Sequence, residues 1–350
     1  MRRISLSAGT PMATQTGRFR SFLDGLVEPQ PADEALRTHL SRVPVTAEPA
    51  AASVAQPATK IPLRRQIDNY IALTKPGILT LLLATELAAM MVAAEGLPSF
   101  RIVVAAMLGG LLSAGGANAL NCYIDRDIDK KMSRTQHRAT ASGEISPRNA
   151  LIYGLTLTVV AVLILGFGAN WFAAGLAALG SFYYVVVYSY YLKRRTEQNI
   201  VIGGTAGAIP PLVGWAAVTG SLAIAPVLMF AIIYYWTPPH FWSLALLKQG
   251  EYDRAGVPML PLVVGEAETR KQVLLYTALL ASVALLITPF GLGEIYLVSA
   301  IVLNGIFLAM AIALYRKKSK KIARQTFFYS MWYLALLFGA MVLDRMVLGG

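Results

Sequence analysis

From residue 74 onward the chain alternates long apolar runs with short polar breaks, and the runs show no two-residue alternation of polarity. Nine of them come near or exceed the roughly 20 residues that a helix needs to cross a hydrocarbon core: 74–94, 102–124, 149–168, 170–192, 199–218, 222–247, 272–290, 294–315 and 326–343. Lipid offers the backbone no water to bond to, so a spanning segment is either helical or part of a closed barrel. A barrel would read as strands of alternating polarity. The pattern therefore predicts an all-α polytopic membrane bundle of nine transmembrane helices, occupying residues 66–350. Residues 1–65 are rich in Ala, Pro, Ser and Thr with scattered charge and no apolar period, which predicts a disordered tail on the cytoplasmic side.

Composition agrees with the pattern, since 56% of the 350 residues are hydrophobic and only 14% charged, against about a quarter charged in soluble domains. The formal charge of +12 is explained by where the cations fall. With the N-terminus inside, the even loops hold Arg126, Lys130, Lys131, Arg134, Arg138 and Arg148, then Lys193, Arg194 and Arg195, then Lys248, Arg254, Arg270 and Lys271, then the RKKSKKIAR run at 316–324. The odd loops and the C-terminus hold Arg101 and Arg345. This asymmetry orients the bundle by the positive-inside rule and requires no nucleic acid. It predicts a bacterial inner membrane protein with its active site on the cytoplasmic side. The acid-free start with Arg2, Arg3, Arg18 and Arg20 keeps a mitochondrial transit peptide, and so a mitochondrial inner membrane, as the alternative; Asp24, Glu28, Asp33 and Glu34 argue against it. The one cysteine, Cys122, excludes an intrachain disulfide.

Charge of the opposite sign marks the candidate chemistry. Asn121, Asp125 and Asp129 follow one another at i, i+4 and i+8 at the cytoplasmic end of the second run, so on a continuing helix they share one face while Asp127 points elsewhere. Two carboxylates and an amide oxygen form an all-oxygen surface that suits Mg²⁺. The bland reading, a solvated helix end whose acids offset nearby bases, has about equal weight for this stretch alone. A second patch, Glu251 and Asp253, falls at the cytoplasmic end of the sixth run, on the same side by loop parity. Lys75, Arg134, Arg138, Lys193, Arg194 and Lys248 lie around both. Acids and bases in equal crowding point to a metal-bridged polyphosphate, whose departure Mg²⁺ and cations would assist. Aromatics including Tyr123, Tyr183, Tyr184, Tyr188, Trp236 and Trp242 offer ring faces to a carbocation, although membrane-interface packing explains each of them as well. Neither Asp125 nor Asp129 is expected to hold the core.

N-x-x-x-D-x-x-x-D at 121–129 with a second acidic motif after the sixth run resembles the UbiA superfamily of intramembrane prenyltransferases. "NCYIDRDIDKKMSRTQHR" at 121–138, "LKRRTEQNIVIGG" at 192–204, "WTPPHFWSLAL" at 236–246 and "EYDRAGVPMLP" at 251–261 resemble most closely the branch whose acceptor is heme. The likeness runs from about Leu73 to the last helix and does not reach the tail. It implies transfer of a farnesyl group from farnesyl diphosphate to a vinyl group of heme b, giving heme O for terminal oxidases, with a heme A synthase or oxidase-assembly proteins as partners. It assigns Mg²⁺ and diphosphate to Asn121, Asp125 and Asp129, and diphosphate to Arg134, Arg138, Lys193 and Arg194. Glu251 stands where many relatives have Asp, with Asp253 two residues on, so the second metal ligand is open between them.

Of the three histidines, His39 lies in the tail and His137 among arginines; His240, in the apolar "TPPHFW" run, is placed to meet heme iron, a propionate or a backbone carbonyl. Pro238 and Pro239 are expected to interrupt the helix there and open a cavity. The alternatives are another aromatic prenyltransferase of the same superfamily (4-hydroxybenzoate or chlorophyll type), a secondary transporter, and a noncatalytic heme chaperone. A transporter calls for acidic groups near the midplane, and the ionisable residues are read as collecting at the cytoplasmic edge.

Overall fold

The computed structural model describes residues 62–348; the predicted tail, with His39, lies outside them. The described residues are helical almost throughout: α1 (Leu63–Leu73), α2 (Pro76–Ala93), α3 (Phe100–Ile124), α4 (Arg126–Lys131), α5 (Ala139–Ser142), α6 (Pro147–Gly168), α7 (Trp171–Phe182) running into a π-helix (Tyr183–Leu192), α8 (Asn199–Ala208), α9 (Pro210–Thr219), α10 (Ile224–Ala255), α11 (Leu260–Val263), α12 (Gly265–Leu286), a 3₁₀ turn (Thr288–Phe290), α13 (Glu294–Lys317) and α14 (Lys320–Leu348). Each of the nine predicted runs folds as a helix or helix pair. Seven are long and apolar enough to cross a membrane. The other two, α10 and α12, are diluted by Tyr234–His240 in the middle of α10 and by the polar opening turns of α12, "GEAETRKQ". The chain is an all-α, multi-pass membrane protein.

With no hydrophobic force between helices in lipid, close packing joins them, and small residues set how close they come. Between α3 and α6, a Cβ on Gly116 would lie 2.8 Å from the carbonyl oxygen of Gly154, and one on Gly154 would lie 3.0 Å from that of Gly116. The two backbones touch where neither bears a side chain. Helix α10 runs through the bundle, packed on α8, α12 and α14, while α14 returns against α2. The N-terminus of α13 is capped from a distance: the carboxylate of Asp344, on α14, accepts from the N–H groups of Gly293 at 2.5 Å and Tyr296 at 3.0 Å. A negative charge is well placed at that end of a helix dipole.

Two expectations are corrected. Pro238 and Pro239 do not interrupt α10, which continues through them as buried core; its one non-helical residue is Lys248, at φ −119° and ψ 21°. Proline's fixed φ is itself helical, and neighbouring packing holds the segment in register. Nor do all acids gather at the edge: Glu86 sits within α2, 2% exposed, its Oε1 without a hydrogen-bond partner, and its Oε2 occupies the space a Cβ on Gly110 would need.

Candidate active site

Helix α3 ends where Asp125 adopts φ −87° and ψ 5°, but the hydrogen-bond spacing survives the bend. The Asp125 N–H donates to Asn121 O at 2.9 Å, and the Asp129 N–H donates to Asp125 O at 2.8 Å. The turn changes direction without unwinding, so Asn121, Asp125 and Asp129 all face inward, Asp125 with no exposed surface. Asp127 faces out and is gripped by Arg194, whose Nη1 and Nη2 each donate at 2.7 Å. That hydrogen-bonded fork holds the Asp127 carboxyl down at about 2.

Asn121 is the hub. Its Oδ1 accepts from Lys75 Nζ at 2.6 Å, and its Nδ2 donates to Asp125 Oδ2 at 2.8 Å and to Ser189 Oγ at 2.9 Å. Lys75 reaches it from an αL corner, φ 56° and ψ 60°, just before α2. Ser189 reaches it from the π-helix, in which the Lys193 N–H donates to Tyr188 O, five residues back. That widened turn also brings Lys193 Nζ onto Asp125 Oδ2 and stacks the Tyr184 and Tyr188 rings 5.6 Å apart. Gly203 makes room, because a Cβ there would lie 2.2 Å from Tyr188 Cδ2. Arg138 Nη1 donates to both oxygens of Asp129, at 2.9 and 2.8 Å. Three cations (Lys75, Lys193, Arg138) thus meet two carboxylates, leaving a net positive charge beside an Asp125 Oδ1 that is buried without a donor.

The second motif approaches the same end of the bundle. Past the bend at Lys248, Tyr252 and Ala255 share a buried cluster with Ile128 and Met132 of the first motif's segment. Glu251 Oε1 accepts from Lys248 Nζ at 2.9 Å. That bond, with lesser help from the charge of the exposed Arg134, holds the Glu251 carboxyl below the usual range. Glu251 Oε2 is buried and has no donor, whereas Asp253 is exposed. Arg194 is committed to Asp127 and stays 4.0 Å from Asp125. His137 is exposed.

His240 lies apart from the acids, its ring stacked between Trp236 (4.4 Å) and Phe327 (4.7 Å), with Nδ1 2.7 Å from Ser330 Oγ. Ser330 and Ser189 were not identified from the sequence. Their one signal is a lone serine inside an aromatic run, "YYVVVYSYYL" and "FFYSMWY".

Among the described residues no three His, Cys, Asp or Glu side chains converge as a metal site. Mg²⁺ does not require that, since it takes one or two carboxylates and completes its shell with water and substrate oxygens. Asp125 Oδ1 and Glu251 Oε2, each buried without a donor, are each the kind of oxygen such an ion takes.

A polytopic helical bundle with a buried, net-cationic, carboxylate-bearing cluster at one end defines an integral membrane protein equipped for an anionic head group. The chain belongs to the UbiA prenyltransferase family, whose model matches residues 82–335. It is 50% identical over 312 residues to protoheme IX farnesyltransferase of Chloroflexus aurantiacus, covering 89% of this chain and 52% of that one. It is 41% identical over 321 residues to the protein of the same name from Cutibacterium acnes, covering 89% of this chain and 95% of that one. The chain thus spans about half the length of the Chloroflexus relative and nearly all of the Cutibacterium one. In fold it is similar to a UbiA homolog from Archaeoglobus fulgidus solved with DMAPP and Mg²⁺, with a TM-score of 0.59 at 15% identity over 78% of this chain and 99% of that one.

Proposed function

We propose that this chain transfers the farnesyl group of farnesyl diphosphate to a vinyl group of heme b, giving heme O. The observation that carries the reading is the buried cluster in which Lys75, Lys193 and Arg138 outnumber Asp125 and Asp129 while one oxygen of Asp125 remains donorless. Relatives named protoheme IX farnesyltransferase support the acceptor and the isoprenoid. The DMAPP and Mg²⁺ of the solved homolog support a metal-dependent handling of prenyl diphosphates.

Asp125 and Glu251, with Asn121 and Asp129 beside them, are the residues that would hold Mg²⁺. When bound, Mg²⁺ neutralises charge on the diphosphate. Lys75, Lys193 and Arg138 hold the diphosphate by charge-assisted hydrogen bonds and stabilise it as it departs, with Arg134, Arg194 and Lys248 at the rim. The farnesyl C1–O bond breaks with both electrons leaving on the diphosphate. The allylic cation left behind is stabilised by the faces of Tyr184 and Tyr188. The vinyl π electrons form the new C–C bond, water adds to the resulting cation and loses a proton, and a hydroxyl remains. His240 holds the heme, and the apolar tail lies among membrane helices. The cation asymmetry supports an N-terminus and site on the inner side of a bacterial inner membrane, or of a mitochondrial one. Product passes to a heme A synthase or to oxidase assembly.

The test is incubation of purified protein in lipid nanodiscs with Mg²⁺ and farnesyl diphosphate, offering heme b or 4-hydroxybenzoate and analysing products by mass spectrometry. A farnesylated, hydrated heme is expected; prenylation of 4-hydroxybenzoate alone would reassign the acceptor, and ion flux without diphosphate release would favour a transporter.

A further inference from the structure

Helix α1 carries two stripes at i, i+4 and i+8. One stripe is docked. Arg65 Nη2 and Nε donate to the Glu144 carboxylate at 2.6 and 3.2 Å, Asn69 Nδ2 donates to the same group at 2.6 Å, and Leu73 is 1% exposed. Between the stripes the Tyr70 ring meets Tyr153 of α6 at 4.9 Å. The other stripe is Leu63, Ile67 and Ile71, which are 73%, 51% and 51% exposed. At 100° per residue these three lie within about 80° of one another on the helix surface. The charged residues Arg64 and Asp68, both exposed, follow along the edge of that apolar stripe.

Three large aliphatics on one face, bordered by charge, are the pattern of a helix lying in a membrane interface. The stripe is also continuous with a surface that must meet lipid. One αL corner beyond α1, at Lys75, the chain enters α2, whose outward-facing Ile78 is 56% exposed on a membrane-spanning helix. Arg64 at the edge is long enough to keep its charge among head groups while its stem lies on the apolar side.

We propose that the Leu63–Ile67–Ile71 face is a docking surface for a phospholipid monolayer. It holds α1 in the plane of the interface while the opposite face is clamped to Glu144. The clamp stands six residues beyond Arg138, the partner of Asp129, so the lipid-held helix and the candidate site share one segment.

The chain's single cysteine, Cys122, is 1% exposed, so a label can be directed elsewhere. Full-length Ile67→Cys and Asp68→Cys proteins, each carrying an NBD fluorophore, are placed in nanodiscs of phosphatidylcholine and phosphatidylglycerol. The quenchers are lipids bearing a doxyl group near the carbonyl and, separately, aqueous iodide. Emission from position 67 is expected to fall by about twofold or more with doxyl lipid and little with iodide, with the order reversed at position 68. Iodide quenching at 67 equal to that at 68 would overturn the proposal. Protection at 67 from both quenchers would overturn it too, since protein, whether the N-terminal segment or a second copy, would then cover the face.

Discussion

Lys75 Nζ lies 2.6 Å from Asn121 Oδ1, and Lys75 is one of three non-glycine residues with positive φ among the described residues. A non-glycine residue in the left-handed region costs about 1–2 kcal/mol, so the ammonium is delivered to Asn121 by a strained corner. Lys75→Gly removes the strain and the ammonium together. We expect unfolding stability unchanged or raised by up to about 1 kcal/mol, and kcat/KM for farnesyl diphosphate lowered by about tenfold or more. Lys75→Ala keeps the strain and loses the bond, so it should be the less stable of the two. Thermal unfolding in detergent alongside product assays separates the effects.

Asp125 and Asp129 are buried in ion pairs, contrary to the expectation that they do not hold the core. Both are buried, on Lys193 and Arg138 respectively, and removing one partner of a buried pair costs about 3–5 kcal/mol. Asp125→Asn should therefore lose turnover and stability together. The double variant Asp125→Asn, Lys193→Met should regain much of the stability and none of the turnover. Full activity of either protein would remove Asp125 from the reaction.

Glu251 and Asp253 are separated by burial. The first has a buried, donorless oxygen; the second is exposed. Glu251→Gln is expected to lower kcat by about 100-fold and raise the Mg²⁺ concentration needed for half-activity, whereas Asp253→Asn should stay within about twofold of the parent. Chelation should abolish turnover in all variants that have any, and Mg²⁺ should restore it.

The Asp127–Arg194 fork sets a pH dependence. The carboxyl is depressed from an ordinary 3.8 to about 2, so its contribution to stability is fully present above the unfolded value and fades as pH falls through about 2. Asp127 is more than half exposed, and such pairs contribute less than about 1 kcal/mol. The difference in melting temperature between the parent and Asp127→Asn should be small but constant above pH 5, shrinking toward zero near pH 2. A difference that grew in acid would contradict the assignment.

What was legible in the sequence follows from which forces act locally. The helical runs and the shared face of Asn121, Asp125 and Asp129 were legible because apolar length and four-residue spacing are properties of one segment, whereas their burial was not, because it depends on the helices packed around them. The π-helix was not, since an i→i−5 register in "YYVVVYSYYL" depends on what the segment packs against, and with it went Ser189. Glu86 gives no local signal beyond being one acid in an apolar run, and its burial follows from the helices around it. The mild bend at Asp125 preserved the site because its hydrogen bonds keep the helical spacing. The unbroken course of α10 through Pro238 and Pro239 shows tertiary packing overriding a local breaker.

His240 and Ser330 carry the last prediction. Ser330 Oγ lies 2.6 Å from the carbonyl oxygen of Phe327, to which it donates its only hydrogen. At His240, 2.7 Å away on its other side, it can then act only as acceptor. With the hydroxyl hydrogen on Phe327 O, the imidazole carries its hydrogen on Nδ1 and leaves the Nε2 lone pair free, which is the tautomer that binds iron. The flanking rings of Trp236 and Phe327 fix the plane of the imidazole. If His240 meets the iron of heme b, Ser330→Ala should weaken ferric heme binding by about 10-fold or more and reduce the nitrogen-ligand signature in its electron paramagnetic resonance spectrum, with Ser330→Thr restoring both. His240→Ala should remove that signature entirely. Retention of the signature in His240→Ala would take His240 away from the iron, whereas its retention at full strength in Ser330→Ala alone would leave His240 as the ligand and dismiss only the hydroxyl's control of the tautomer.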